Sequence, residues 1–432
     1  MVCVAPGEPA MTTRRRSMLG AAVVALAAPS IVRAQAAAAH VVVVGGGFGG
    51  ATAARYLKQL APTVQVTLVE PAERFYTCPF SNLYLAGLRT WESLAHGFDG
   101  LRRAGVNVVH ARAEDVDVAR RTLVLSSGEQ LRWDRLVLAP GIDLRWNALE
   151  GYDEAAADRV PHAWKAGAQT RLLRRQMEAM PDGGLFIMTI PDNPFRCPPG
   201  PYERAAMVAH YFKQHKPRSK ILLLDAKQNF SKKALFLQGW KALYGSMIEW
   251  QGLAQDGQVA RVDAKALEVE TVFGSRHKAS VLNVIPPQKA GLIAHRAGVT
   301  DATGWVPVKG ENFEARQASG IHVVGDASFA GPMPKSGFAA NNQGKLVAAW
   351  LAAELMGLPS PEASYANTCY SLIGPGYGIS VAGVYRAEAG RVVDVPHSVG
   401  ISPLDADAAF RDAEARYGAS WYAAISRDIW DR

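Results

Sequence analysis

Sulfur and a carboxylate are the groups in this chain best placed to do chemistry. Cys197 stands in the run Phe195-Arg196-Cys197-Pro198-Pro199-Gly200, just after the apolar stretch Leu185 to Ile190, and Glu203 follows within two turns of chain. A helix N-terminus and a neighbouring cation both lower a thiol's pKa, so this placement predicts a reactive thiolate at Cys197. Glu203 is close enough to serve that sulfur as a general acid or base. The plain alternative is a cysteine buried as a small apolar residue. Cys369 lies in Asn367-Thr368-Cys369-Tyr370 and Cys78 in Tyr76-Thr77-Cys78-Pro79. The fourth, Cys3, falls in a leader-like segment, which leaves three: at most one disulfide and one sulfur for other work. Cys197 and Cys369 are too far apart in sequence for any local motif to pair them.

These groups need a scaffold, and the chain opens one at Val41 to Val44, followed by Gly45-Gly46-Gly47-Phe48-Gly49-Gly50. Strand, glycine turn and helix form the start of a dinucleotide fold. Gly45 permits the tight turn, Gly47 lets the backbone approach a pyrophosphate, and Gly50 allows close helix packing. Glu70 closes the next strand, where a carboxylate can accept from adenosine ribose hydroxyls. Trp133 to Gly141 reads as a strand ending in Pro-Gly, and Gly320 to Ala327 as a buried strand ending in Gly325-Asp326, whose aspartate can bond a ribityl hydroxyl. These elements in this order predict FAD; an NAD-binding domain of another kind does not explain the Gly-Asp strand. A helix beginning near Ser336 and Gly337 would point its N-terminus at the flavin pyrimidine, with Lys335 either adding charge there or lying on the surface. Cys78, shortly after the ribose-binding strand, could then be a redox partner or a covalent tether.

Between these parts, Leu185 to Ile190 and Lys220 to Asp225 read as parallel strands of a second dinucleotide-like unit. Asp225 ends its strand as a ribose-binding acid would. The turn between them, however, carries Pro191, Pro194, Pro198, Pro199 and Pro201 and one glycine. Proline offers no N–H to a phosphate, so no NAD(P) is expected. The fold class expected is α/β: two Rossmann-like domains of the glutathione-reductase type plus a C-terminal α+β domain. The boundaries predicted are 37–150 and 288–360 for FAD, 151–287 for the insertion, and 361–432 for the C-terminal part. There a helix from about Ala406 to Trp430 presents Trp421, Tyr422, Ile425 and Ile429 at helical spacing, for packing against the protein or a partner.

The 432 residues carry a net charge of +8 with scattered Lys and Arg, which argues against nucleic-acid binding. Residues 1–36 resemble a twin-arginine export signal, with Arg14-Arg15-Arg16-Ser17-Met18-Leu19 ahead of a short apolar run. A periplasmic protein without a stable membrane span is therefore expected. No metal site is expected, and no Cys-x-x-Cys-His haem attachment sequence is present.

Read together, Tyr76 to Pro79, Phe195 to Glu203, Asn283 to Ala290 and Lys335 to Asn341 resemble the flavoprotein subunit of flavocytochrome c sulfide dehydrogenase, a branch of the pyridine nucleotide-disulfide oxidoreductases. The resemblance implies a thioether from Cys78 to FAD and a redox-active disulfide between Cys197 and Cys369. It also implies hydrosulfide as substrate, Glu203 in proton transfer, and haem c carried by a separate cytochrome c subunit. The rivals are a sulfide:quinone oxidoreductase, which would want a hydrophobic membrane-facing tail, and a non-enzymatic FAD electron carrier with structural cysteines. An NADH-dependent disulfide reductase is weaker, for want of the phosphate loop. A thiosulfate-oxidising-system flavoprotein shares these motifs and is not separable from the first reading by sequence.

Overall fold

Residues 38–431 are described in this computed structural model. The predicted export signal lies outside them. Five parallel strands make the first sheet, in the order Ile321–Val323, Arg135–Leu138, His40–Val44, Gln65–Val69, Asn107–Val109. The run of four valines in the central strand suits a strand covered on both faces, and all four are buried. Helix Phe48–Leu60 follows the glycine turn and packs on helix Gly337–Met356. Contact is close because Gly344 lacks a side chain: a Cβ there would stand 2.5 Å from the Gly49 carbonyl oxygen.

A second parallel sheet runs Ile248–Gln251, Lys220–Asp225, Leu185–Ile190, Val281–Val284. Helix Gly200–His215 follows its Leu185–Ile190 strand and buries Tyr202 and Arg204. Together the two sheets give the two-Rossmann α/β architecture. The third layer is the antiparallel hairpin Ser364–Gly374 and Tyr377–Glu388. Alternation explains it: residues 365, 367, 369, 371 and 373 all face inward and are buried.

Helix Ala408–Ser426 lies across this hairpin, so near that a Cβ on Gly378 would fall 2.3 Å from the Ala415 nitrogen. It ends in a π-helical turn, Arg427–Asp431, that carries Ile429 and Trp430 into the core. Tyr422, Ile425 and Ile429 are buried, so the apolar stripe packs on the protein itself.

Candidate active site

The glycine turn has the tightness its sequence asks for. Gly45 has φ of +100°, and a Cβ there would stand 2.3 Å from the Ala139 carbonyl oxygen. Gly47 precedes the helix, and a Cβ on Gly50 would meet the Gly45 oxygen at 2.0 Å. Glu70 reaches back from its strand end and accepts the Gly46 N–H at 2.8 Å. At the far strand, Gly325 takes a positive φ and Asp326 buries an oxygen, Oδ1, that has no hydrogen-bond partner. An orphaned buried carboxylate oxygen calls for a donor. With the glycine turn, Glu70 and the N-terminus of the Gly337 helix, it fits the hydroxyl-rich chain of FAD.

Lys335 is not a surface residue. Its ammonium is buried, donates to the carbonyls of Asp326 (2.9 Å) and Ser328 (2.6 Å), and lies 3.8 Å from the centre of the Trp305 ring. Burial pulls its pKa down to about 8. Ser336 caps the helix, accepting the Ala339 N–H at 3.0 Å.

The sulfurs gather around this pocket's edge. Cys197 is three residues ahead of its helix, at φ +57°, and its N–H is held by the Lys335 carbonyl at 2.8 Å. Gly200 leaves room for it, since a Cβ there would stand 2.9 Å from both Cys197 Sγ and the Trp164 ring. The Trp164 carbonyl accepts from Arg196, whose guanidinium is 3.7 Å from Asp326, and lies 3.5 Å from Cys78 Sγ. Cys369 sits on the inward face of its strand, where Asn367 donates to Sγ at 3.3 Å and Ser336 donates to Asn367 Oδ1 at 2.5 Å. Cys78, Cys197 and Cys369 are all free thiols here, and Cys369 is near enough to act electrostatically on Cys197.

One expectation is corrected. Helix and cation were to favour a thiolate at Cys197, yet its pKa is raised: burial dominates, Cys369 and Glu203 add to it, and Arg196 opposes without prevailing. Glu203 joins the group as expected. Its carboxylate accepts the Leu372 N–H at 2.9 Å and an Asn82 N–H at 2.8 Å, which ties the Cys197 helix to the Cys369 strand. Burial raises its pKa against those bonds and the charges of Lys232 and Arg204.

Sequence reasoning gave Asn367 and Lys232 no role and saw Arg204 only as a cation one turn on from Cys197. Arg204 is 2% exposed and donates to Asn82, His162, Ala163 and Asn283, all neutral acceptors, behind the sulfurs. Its place beside Glu203, and that of Asn367 two residues before Cys369 on the same strand face, were the available signals; Lys232 had none. Asp225, the would-be ribose acid of the second sheet, is fully engaged by Tyr202 (2.6 Å), Lys227 (2.6 Å) and Trp250 (3.0 Å).

Three family descriptions match consecutive parts of the chain. Pyridine nucleotide-disulphide oxidoreductase covers residues 39–176, the central part of the sulfide dehydrogenase [flavocytochrome c] flavoprotein chain covers 170–286, and the flavocytochrome c sulphide dehydrogenase flavin-binding part covers 361–430. The flavoprotein chain from Chlorobaculum thiosulfatiphilum is 69% identical over 35 residues, 8% of this chain and 73% of that sequence. The chain belongs to this flavoprotein family. Mouse mitochondrial sulfide:quinone oxidoreductase is similar to this chain at 23% identity over 299 residues, which span 65% of this chain and 63% of the mouse protein. Among solved structures, the sulfide:quinone oxidoreductase of Aquifex aeolicus superposes with a TM-score of 0.68 at 19% identity, covering 90% of this chain and 92% of that one. A putidaredoxin reductase complexed with putidaredoxin gives 0.65 at 18%, covering 90% and 93%. These likenesses establish the two-Rossmann fold.

Proposed function

We propose that this flavoprotein chain oxidises hydrosulfide at a disulfide of Cys197 and Cys369, with FAD as resident cofactor and a cytochrome c as electron acceptor. The convergence of both sulfurs and Glu203 beside the Asp326 pocket carries this reading. Attack of HS⁻ on one sulfur of the pair forms a persulfide S–S bond as the cysteine–cysteine bond breaks. The electron pair of the broken bond leaves on the other sulfur as thiolate, so charge balances without a proton. Glu203, protonated to higher pH than an ordinary carboxylate, can supply a proton to that thiolate and recover one from the persulfide. Arg204 offers positive charge behind the sulfurs throughout. FAD, when bound, supplies an acceptor for the two electrons released as HS⁻ becomes zero-valent sulfur and a proton, and can pass them on singly.

The residues that would hold it are Gly45, Gly47, Gly50, Glu70, Gly325, Asp326, Lys335 and Gly337, with Cys78 as a thioether tether. Cys78→Ala should then yield flavin that acid precipitation releases, while the wild-type protein keeps its flavin in the pellet; release from both would remove the tether. Asp225's saturated carboxylate and the proline-rich turn support a reaction without NAD(P). The haem belongs to a separate subunit in this reading, and the exposed Val399, Ile401 and Leu404 of the C-terminal layer offer it an apolar contact. We also place the protein in the periplasm, from the twin-arginine pattern of residues 1–36.

No described helix is long and apolar enough to cross a membrane. An anaerobic sulfide titration followed by flavin absorbance tests the chemistry, with cytochrome c and then a soluble quinone offered to the reduced protein. Bleaching by stoichiometric sulfide and recovery with cytochrome c is the expected result. Recovery with quinone alone would replace the acceptor, and no bleaching would end the sulfide reading.

A further inference from the structure

Lys232 places an ammonium where only neutral groups bind it. The residue is 5% exposed, and its backbone is held at φ +62° immediately ahead of helix Lys233–Tyr244. Its Nζ donates to the Cys369 carbonyl at 2.7 Å, to Ser371 Oγ at 2.9 Å and to the Ile379 carbonyl at 3.5 Å, spanning both strands of the hairpin. The Phe236 ring lies 5.8 Å away. Among the described residues it forms no ion pair with a carboxylate. A left-handed backbone and a buried unpaired cation are both unfavourable, and such costs concentrate at functional sites.

The acidic groups whose charge, when they ionise, acts on Lys232 are Cys369, Glu203, Cys197 and Glu414. Glu414 is taken by Ser380, Ser402 and Arg411. Glu203 is pushed toward its neutral form by burial. Arg204, Arg196 and Asp326 also act on the charge at Cys197. What remains to balance Lys232 is a thiolate of the cysteine pair, and burial leaves the lysine, lowered to about 8, still charged at neutral pH.

We propose that Lys232 is the positioning cation of the Cys197–Cys369 pair: it grips the strand that carries Cys369 and compensates the thiolate that appears when the pair is reduced. The inference rests on the reading of these cysteines as a redox pair. Reduction adds two electrons, breaks the S–S bond and takes up one proton, leaving one thiol and one thiolate. The oxidised pair has no anion to offer Lys232, so the charge favours the reduced form.

The test needs no sulfide. Flavin-containing protein is oxidised with diamide, poised in dithiothreitol redox buffers, and its thiols are alkylated with iodoacetamide across a range of pH, with the modified cysteines read by mass spectrometry. Lys232→Met and Lys232→Gln should each move the onset of alkylation up by about one pH unit, roughly tenfold slower at neutral pH, and make the pair harder to reduce. Lys232→Arg should restore the wild-type profile. Gln keeps hydrogen-bonding capacity without charge, so a Gln variant that overlays wild type overturns the proposal. Ser371→Ala removes one neutral anchor and leaves the charge; it should behave as wild type, and a shift as large as that of Gln would also overturn it. If diamide forms no bond between Cys197 and Cys369 in the wild-type protein, the pair itself fails, a result distinct from any effect of Lys232.

Discussion

At Cys197 two effects of opposite sign meet, and burial wins. A cation and a nearby helix start are legible in sequence, whereas removal from water is set largely by Trp164 and Lys335, which arrive from distant parts of the chain. The practical result is a sulfur suited to being attacked in a disulfide more than to ionising alone. Cys197→Ser should retain flavin yet lose sulfide-driven bleaching by at least about a hundredfold, measured by anaerobic stopped flow. Glu203 gives a second prediction. Its raised pKa places an ionisation above the ordinary carboxylate range in the pH profile of flavin reduction, and Glu203→Gln should abolish that limb and slow the reaction by about a hundredfold or more. An unchanged profile would take Glu203 out of proton transfer.

Elements position these residues by backbone bonds that no short motif announces. The segment around His162 is one case: the Trp164 N–H donates to His162 Nδ1 at 2.9 Å, and the His162 carbonyl accepts from Arg204 and Asn283. Burial first, then Lys165, Arg204 and Arg196, lower the imidazole pKa to about 3. A histidine depressed in the folded state stabilises fully above its unfolded pKa of about 6.5 and loses that contribution as pH falls below it. Thermal or denaturant unfolding should therefore show ~2 kcal/mol less stability from this group at about pH 5 than at about pH 8. His162→Asn, which can still accept the Trp164 N–H, should remove that part of the acid sensitivity.

The glycine turn, Glu70, the Gly325-Asp326 strand end and the Ser336 cap were readable because each is a local pattern of backbone demand. The hairpin over 364–388 was not, because its inward alternation is carried by Asn367, Cys369 and Ser371, residues that do not look apolar. Lys232 was unreadable for a different reason: its partners lie more than a hundred residues away.

Over the whole molecule, the C-terminal turn closes onto the beginning of the fold. Trp430 donates to the Gly46 carbonyl at 3.2 Å, stacks on Phe75 and His96, and meets Phe48 edge-on. Asp428 adds bonds to Tyr56 and Lys345. Trp430→Ala should cost ~3–5 kcal/mol of stability, as for other buried large aromatics, and speed the loss of any non-covalent flavin, read by calorimetry and by fluorescence of released cofactor. A Tm equal to wild type would mean the turn only rests on the loop.

That contact joins residues 384 positions apart. At ribosomal rates of roughly 5–20 residues per second, the glycine turn exists for roughly 20–80 s before Trp430 has been made. Through that interval the Gly46 carbonyl and the Phe48 and Phe75 rings wait for the partner that the last residues of the chain bring to them.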